Sequence, residues 1–179
     1  MYTTKQIKEL EHLAITEAKI SEWELMQRAG AEALELVKLK YQDAENIAVL
    51  CGSGNNAGDG YVFAAKAKAA GKTVDCFYLS DPKSLKQPAL AAYELAVRNG
   101  VNIQAFTDEL PLNDYDLLID ALLGTGFKGQ LRPDFFQAIS ALNASHRPAI
   151  AGKPPAIGAS RRRSHPPEPS PPSLHAARR

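Results

Sequence analysis

The sequence Cys51-Gly52-Ser53-Gly54-Asn55-Asn56-Ala57-Gly58-Asp59-Gly60 decides the fold of this chain. An apolar run at residues 47–50 precedes it, and an alanine-rich segment at residues 61–70 follows it. A strand, a glycine-rich turn and a helix in this order present backbone amides to a phosphate in α/β proteins. The glycines of the stretch allow positive φ angles and let a ligand approach the backbone closely.

Polar side chains fill the gaps between these glycines. The stretch matches the dinucleotide-binding pattern G-x-G-x-x-A, but Asn55, Asn56 and Asp59 have no role in that pattern. Because a carboxylate gains nothing beside a pyrophosphate, Asp59 indicates a cation, a ribose hydroxyl or a helix N-terminus as its partner. The alternative is that Asp59 only caps a helix that begins at Tyr61.

Length and composition are those of a globular protein with one main domain, since the chain has 179 residues, of which 45% are apolar and 23% charged. No run approaches the roughly 18 apolar residues that span a bilayer, and the first residues lack an apolar signal region. We therefore expect a cytoplasmic protein without a membrane segment. Residues 151–179 hold six of the 21 basic residues and one of the 20 acids, which leaves 15 basic and 19 acidic residues before them. This mildly acidic body is a poor surface for nucleic acid, and we predict no such partner.

The rest of the chain alternates between predicted helices and strands. A capping box, Ser21 with Glu24, opens a helix that should run to about Lys40. Its predicted buried stripe is Leu25, Ala29, Ala33, Leu36 and Val37. Predicted strands lie at residues 47–51, 74–79, 101–106, 115–120 and from about 149, and predicted helices at residues 61–70, 87–98 and 134–143. Gly71 is the predicted C-cap of the first of these three helices, and Asn99-Gly100 should close the second. Helical crossovers make such strands parallel, which predicts an α/β fold in which Cys51 and Cys76 are buried, reduced thiols.

Two predicted strands end near an acidic residue. Asp81 precedes Pro82, so we interpret it as the start of a turn and not as the ribose ligand of a common NAD site. Asp120 ends its strand just before a second glycine-containing loop that also carries Lys128. Ligands collect at the carboxyl ends of parallel strands, so Asp120 should lie where the first glycine stretch also points. Two alternatives remain open: Asp120 as a cap or turn former, and Lys128 as a solvated loop residue.

Three stretches of the chain carry a family resemblance. They are Leu25-Met-Gln-Arg-Ala-Gly30, the glycine stretch at residues 52–60, and Asp120-Ala-Leu-Leu-Gly-Thr-Gly126. Together they resemble the NAD(P)H-hydrate epimerases, also called YjeF amino-terminal domains, over roughly residues 3–150. The resemblance implies a Rossmann-like αβα three-layer sandwich, often a homodimer. It also implies epimerisation at C6 of hydrated NADH or NADPH (NADHX or NADPHX), whose S form is repaired by an ADP- or ATP-dependent dehydratase.

The resemblance also implies a set of site residues. Asn56 and Asp120 match ligands of a potassium ion (K+), and hard oxygen donors suit such a cation. We hypothesise in addition that Asp120 takes part in proton transfer. The residues that match substrate-binding segments are Asn55, Asn56, Ala57, Gly58, Asp59, Gly124, Thr125, Gly126, Phe127, Lys128, Gly129 and Gln130. The family has glycine where this chain has Ala57, which disfavours a positive φ there.

The end of the chain departs from the family pattern. After the strand near residue 149, the family continues with an acid, a Pro-Ser-Gly turn that supplies another potassium ligand, and further strands. Residues 151–179 instead hold seven of the 12 prolines and no apolar periodicity. We expect a domain at residues 1–150 that lacks its C-terminal strands, and a disordered tail at residues 151–179. Two origins of the tail remain open: an altered reading frame or truncated gene model, and a true basic segment that binds a partner.

Two other functions remain open at this point. One is a non-catalytic Rossmann-like binding or scaffold module. The other is an NAD(P)-binding oxidoreductase, which the G-x-G-x-x-A match alone supports. No dehydratase domain fits into this length, so we expect that enzyme to be a separate chain.

Overall fold

The computed structural model describes residues 6, 9, 10, 13, 15–124, 127 and 129–151. Within these residues the chain alternates between helices and strands, as predicted. In chain order the elements are α1 (Glu22–Lys40), β1 (Asn46–Cys51), α2 (Asn55–Ala69), β2 (Thr73–Tyr78), α3 (Ala89–Arg98), β3 (Asn102–Ala105), β4 (Leu117–Ala121), α4 (Pro133–Ala144) and β5 (Ala149–Ala151). None of the helices in this part of the chain is long and apolar enough to cross a membrane.

The strands form one parallel sheet with the order β3-β2-β1-β4-β5. Helices α1, α2 and α3 pack on one face of this sheet, against side chains such as Val49 and Ile119. Helix α4 packs on the other face, against Leu50 and Leu118. The two sets alternate along the strands because successive residues of a strand point to opposite faces. The predicted Rossmann-like αβα sandwich is confirmed.

The centre of the sheet positions the site. The helix that follows β1 lies on one face, whereas the helix that follows β4 lies on the opposite face. The segments that leave the carboxyl ends of the neighbouring strands β1 and β4 therefore lead to opposite faces of the sheet. In open α/β sheets this divergence leaves a crevice in which ligands bind.

Helix α1 begins as predicted, but its buried side differs from the prediction. The Ser21 hydroxyl accepts a hydrogen bond from the backbone N–H of Glu24 at 3.1 Å, whereas the Glu24 carboxylate pairs with Arg28 instead of completing the capping box. The buried residues of α1 are Met26, Gly30, Leu34 and Val37. Of the predicted stripe only Val37 is fully buried. Gly30 fixes this rotation, since a side chain there would lie 2.6 Å from Val62 Cγ1 of α2.

Several local predictions are confirmed. Gly71 follows α2 with a φ of +89°, and Gly100 follows α3 with a φ of +70°. Asp81 starts a turn, because its carboxylate accepts a hydrogen bond from the N–H of Lys83 at 2.9 Å. The two cysteine thiols are buried and free. Residues 152–179, which make up all of the predicted tail except Ala151, lie outside the described residues.

Candidate active site

Helix α2 begins at Asn55, and this corrects the predicted loop. Gly54 is its N-cap in an extended conformation, and the N–H of Ala57 donates to the carbonyl of Gly54 at 3.0 Å. The predicted site residues from Asn55 to Asp59 thus form the first turns of the helix. The idea that Asp59 caps a helix beginning at Tyr61 is wrong, since Asp59 lies within α2.

Gly52, Gly58 and Gly60 of this stretch serve close packing, and none of its four glycines has a positive φ angle. Gly54 has a φ of −137°, and the described glycines with positive φ are Gly71, Gly100 and Gly129. A Cβ atom on Gly58 would lie 2.5 Å from Met26 Sδ, and one on Gly60 would lie 2.6 Å from the Cβ of Ala121. The start of α2 therefore lies directly against α1 and β4.

Two predicted site residues follow from this packing. Ala57 and Gly58 are both buried within the first turns of α2. Because Ala57 is helical, it needs no positive φ, and its extra methyl group relative to the family's glycine is accommodated. The preference of alanine against a positive φ therefore has no consequence at this position.

Asn56 is the side chain that connects the two predicted site segments. It is 6% exposed, and its amide Nδ2 donates to the carbonyl oxygen of Leu123 at 3.3 Å. Gly124 lies against it, because a Cβ atom on Gly124 would be 3.2 Å from Asn56 Cβ. The amide oxygen Oδ1 is buried and makes no hydrogen bond to any described residue.

Asp120 lies at the carboxyl end of β4, as predicted, and is 5% exposed. Its Oδ1 accepts a hydrogen bond from the backbone N–H of Leu122 at 3.0 Å. This bond means that Asp120 also forms a local turn, which was the alternative role considered for it. Asp120 nevertheless begins the segment 120–124, and two residues of this segment, Leu123 and Gly124, contact Asn56.

The second predicted segment is described in part. The N–H of Phe127 donates to the carbonyl of Gly124 at 3.2 Å, which closes a turn after β4. Gly129 has a φ of +102°, a conformation that favours glycine, and Gln130 is exposed next to it. Thr125, Gly126 and Lys128 lie outside the described residues.

A groove of about 460 Å³ adjoins the start of α2. Asn56 and Asp59 line it, together with Ile119 of β4 and Ile150 of β5. The α1 residues that line it are Ala29, Glu32, Ala33 and Leu36. Three of these four belong to the predicted stripe, and because they line this groove, Ala29 and Ala33 are only partly buried and Leu36 is exposed. The groove combines mainly apolar side chains with the polar groups of Glu32, Asn56 and Asp59, as small-molecule sites commonly do.

Arg132 was missed by the sequence analysis. Its guanidinium donates to both carboxylate oxygens of Asp134, at 3.2 and 2.6 Å, and to Ser80 Oγ at 3.1 Å. These hydrogen bonds hold the pKa of Asp134 below its usual range. The guanidinium also lies 4.8 Å from the centre of the Phe135 ring. Arg132 thus links the second segment to the end of β2, a contact between residues 52 positions apart that no local pattern reveals.

Comparison with known proteins identifies relatives that align with most of this chain. The model of the family described as YjeF-related protein N-terminus matches residues 22–161. The bifunctional NAD(P)H-hydrate repair enzyme Nnr of Coxiella burnetii is 36% identical over 151 residues, which are 84% of this chain and 30% of the relative. The NAD(P)H-hydrate epimerase of Rhodopirellula baltica is 32% identical over 152 residues, 83% of this chain and 62% of the relative. The chain therefore spans less than two thirds of either relative.

A solved structure shares the fold. The crystal structure of yeast ynu0, YNL200c, matches with a TM-score of 0.66 at 21% sequence identity, covering 83% of this chain and 68% of the yeast chain. Together with the family match over residues 22–161, the parallel sheet agrees with the resemblance found in the sequence. The chain belongs to the family of YjeF-related protein N-termini.

Proposed function

We propose that this chain interconverts the R and S forms of NADHX and NADPHX by epimerisation at C6. The observation that carries the proposal is that two buried polar side chains, Asn56 and Asp120, both hydrogen-bond to the backbone of Leu122–Leu123, directly after β4. The names of the Coxiella and Rhodopirellula relatives support this activity. They do not favour a scaffold module or an oxidoreductase.

The chemistry at C6 requires proton transfer. In the hydrated ring C6 carries a hydroxyl group next to the ring nitrogen. Inversion follows if the C6–O bond breaks with the help of the nitrogen lone pair and water then adds from the opposite side. The leaving hydroxide needs a proton, and the water that returns must lose one, so a single acid/base group balances both steps. We assign this role to Asp120, which is buried at the carboxyl end of β4.

The donor set fits a potassium ion. A buried amide oxygen without a partner costs about 1–3 kcal/mol, and Asn56 Oδ1 is such an atom among the described residues. Amide and carboxylate oxygens suit a hard alkali cation, so Asn56 and Asp120 would hold it. When bound, the ion would supply a fixed positive charge beside the substrate.

The substrate would contact the two segments that diverge from the sheet. At the start of α2, the backbone N–H groups that lack a partner within the helix suit the pyrophosphate. Asn55, Asp59 and the segment after β4 would contact the remaining polar groups. The groove beside Asn56 offers an apolar surface to the ring.

The direct test is turnover of R-NADPHX by the purified chain, coupled to an S-specific dehydratase, with and without potassium. We expect potassium-dependent turnover of both NADPHX and NADHX. A protein that melts cooperatively but gives no turnover with either substrate would refute the proposed activity for this chain.

A stability measurement tests the potassium ligands without activity. An ion that binds only the folded state at roughly 10 to 100 times its Kd raises the free energy of unfolding by about 1.4–2.7 kcal/mol. We expect this gain for the wild-type chain in potassium chloride relative to sodium chloride of equal ionic strength, measured by urea unfolding. Asn56→Ala should lose the gain.

Asn55→Ala is the matched control for this measurement. It removes the neighbouring amide, which is exposed, and should keep the potassium effect. Equal stability of the wild type in the two salts, or an unchanged gain in Asn56→Ala, would contradict the assignment of Asn56 as a ligand.

The broader setting follows from the same proposal. The epimerase would supply a cytoplasmic dehydratase with the S hydrate, and the bifunctional relatives are named for repair of the same hydrate. A homodimer remains a prediction, which sedimentation of the purified chain would test.

A further inference from the structure

Arg132 and Ser80 together form a set of hydrogen-bond donors at the carboxyl end of β2. Leu79 follows β2 and donates its N–H to the carbonyl of Cys51 at 3.0 Å, so this end lies beside the turn that leads into α2. Arg132 Nη2 contacts the carbonyl of Leu79 at 3.4 Å and Ser80 Oγ at 3.1 Å. A donor set therefore lies at the same carboxyl edge of the sheet as Asn56 and Asp120.

The end of β2 has a defined role in dinucleotide sites. An acid there accepts a hydrogen bond from the 2′-hydroxyl of the adenosine ribose, whereas a nearby arginine accommodates a 2′-phosphate. The acid in this position, Asp81, uses its carboxylate to start the turn over Pro82–Ser84 and bonds to the N–H of Lys83. The groups that remain are a guanidinium and a hydroxyl.

The guanidinium is held so that one edge stays open. Asp134 binds the Nε and Nη2 groups, and the Phe135 ring covers one face of the planar group. Nη1 makes no hydrogen bond to any residue that the structure describes. Ser80 Oγ accepts from Nη2, which leaves its own hydrogen to be donated. Nη1 and the Ser80 hydroxyl are therefore two donors that remain for a phosphate.

We propose that Arg132 and Ser80 bind the 2′-phosphate of the adenosine ribose and make the chain select NADPHX over NADHX. This inference rests on the proposed function, because it names which of its two substrates is preferred. Arg132 acts here on specificity and is remote from C6.

The test uses binding of two nucleotides that differ only in the 2′-phosphate, adenosine 2′,5′-bisphosphate and adenosine 5′-monophosphate. Hydrogen bonds to charged groups predict about 10- to 100-fold tighter binding of the bisphosphate by the wild-type chain in calorimetric titration. Arg132→Gln should reduce this ratio to near one and leave the affinity for the monophosphate unchanged. Its kcat/KM for NADPHX should fall by a similar factor, while that for NADHX stays constant.

Arg98→Gln is the matched control for the loss of one positive charge. Arg98 ends α3, and its side chain is 63% exposed next to Glu94. This variant should keep the wild-type ratio. Arg132→Gln should fold normally, since half-exposed ion pairs contribute about 0–1 kcal/mol to stability.

The outcomes separate the inference from the proposed function. Any of three results would overturn the phosphate site. They are equal affinity of the wild type for the two nucleotides, no measurable binding of either nucleotide, and an equal loss of affinity for both nucleotides in Arg132→Gln. The last of these results would mean that Arg132 only positions the segment after β4. The ratio of the two nucleotide affinities could depend on Arg132 in a protein that shows no turnover of NADPHX or NADHX. That result would support the phosphate site and refute the proposed epimerase activity.

Discussion

Asp120→Asn should lower the kcat for epimerisation by at least about 100-fold, as removal of a general acid/base group commonly does. Asparagine has nearly the same shape as aspartate, and its side-chain oxygen can still accept the hydrogen bond from the N–H of Leu122. The variant should therefore fold, while its side chain can no longer exchange a proton at neutral pH. Steady-state kinetics at saturating potassium measure the effect.

A second carboxylate of the site serves as the control. Asp59→Asn removes a charge that lines the groove but that we place only in substrate binding. It should raise KM and leave kcat within about threefold of the wild type, because it acts on ground-state binding. Since Asp120 is also a proposed potassium ligand, the potassium dependence of kcat must be measured for both variants. An Asp120→Asn protein that reaches the wild-type kcat when potassium is saturating would exclude Asp120 from proton transfer.

Gly52→Ala should destabilise the fold by at least about 3 kcal/mol, at the upper end of the usual cost of overpacking. The Cβ atom would collide with the carbonyl oxygen of Leu122, a backbone atom that cannot rotate away. The N–H of Gly52 also donates to the carbonyl of Ala121 at 3.1 Å, so the two segments that leave β1 and β4 are fixed to each other. Urea unfolding followed by circular dichroism measures the loss.

Gly54→Ala is the matched substitution in the same stretch. No atom lies within 4 Å of the Cβ position of Gly54, and its extended backbone suits alanine. Alanine is a poorer N-cap than glycine, so a loss below about 1 kcal/mol is expected. If Gly52→Ala were as stable as Gly54→Ala, the close contact with Leu122 would not matter for folding.

The sequence was most informative where one residue type has one physical reason for its position. Ser21 and Gly71 mark the start of α1 and the end of α2 because capping and a positive φ demand such residues. Apolar runs predicted the strands, and the position of Asp120 at a strand end predicted its place at the centre of the sheet. These predictions depend on local chemistry alone.

The predictions from sequence were wrong where a glycine can have more than one structural role. Gly58 and Gly60 were interpreted as loop residues, yet they are helical and small because Met26 and Ala121 lie against them. That requirement comes from residues distant in sequence, so no local pattern separates it from a requirement for positive φ. The bond between Asn56 and Leu123 likewise depends on a partner 67 positions away.

The close packing at the start of α2 limits how this protein can evolve. In the stretch from residue 52 to residue 60 the exposed residues are Ser53, Gly54 and Asn55, whereas the others are buried or partly buried in the interior. A library that randomises the whole stretch would therefore return viable clones with changes mainly at these three positions. New substrate preferences would therefore have to arise at these three positions or outside the stretch. The fold thus protects most of this stretch from drift.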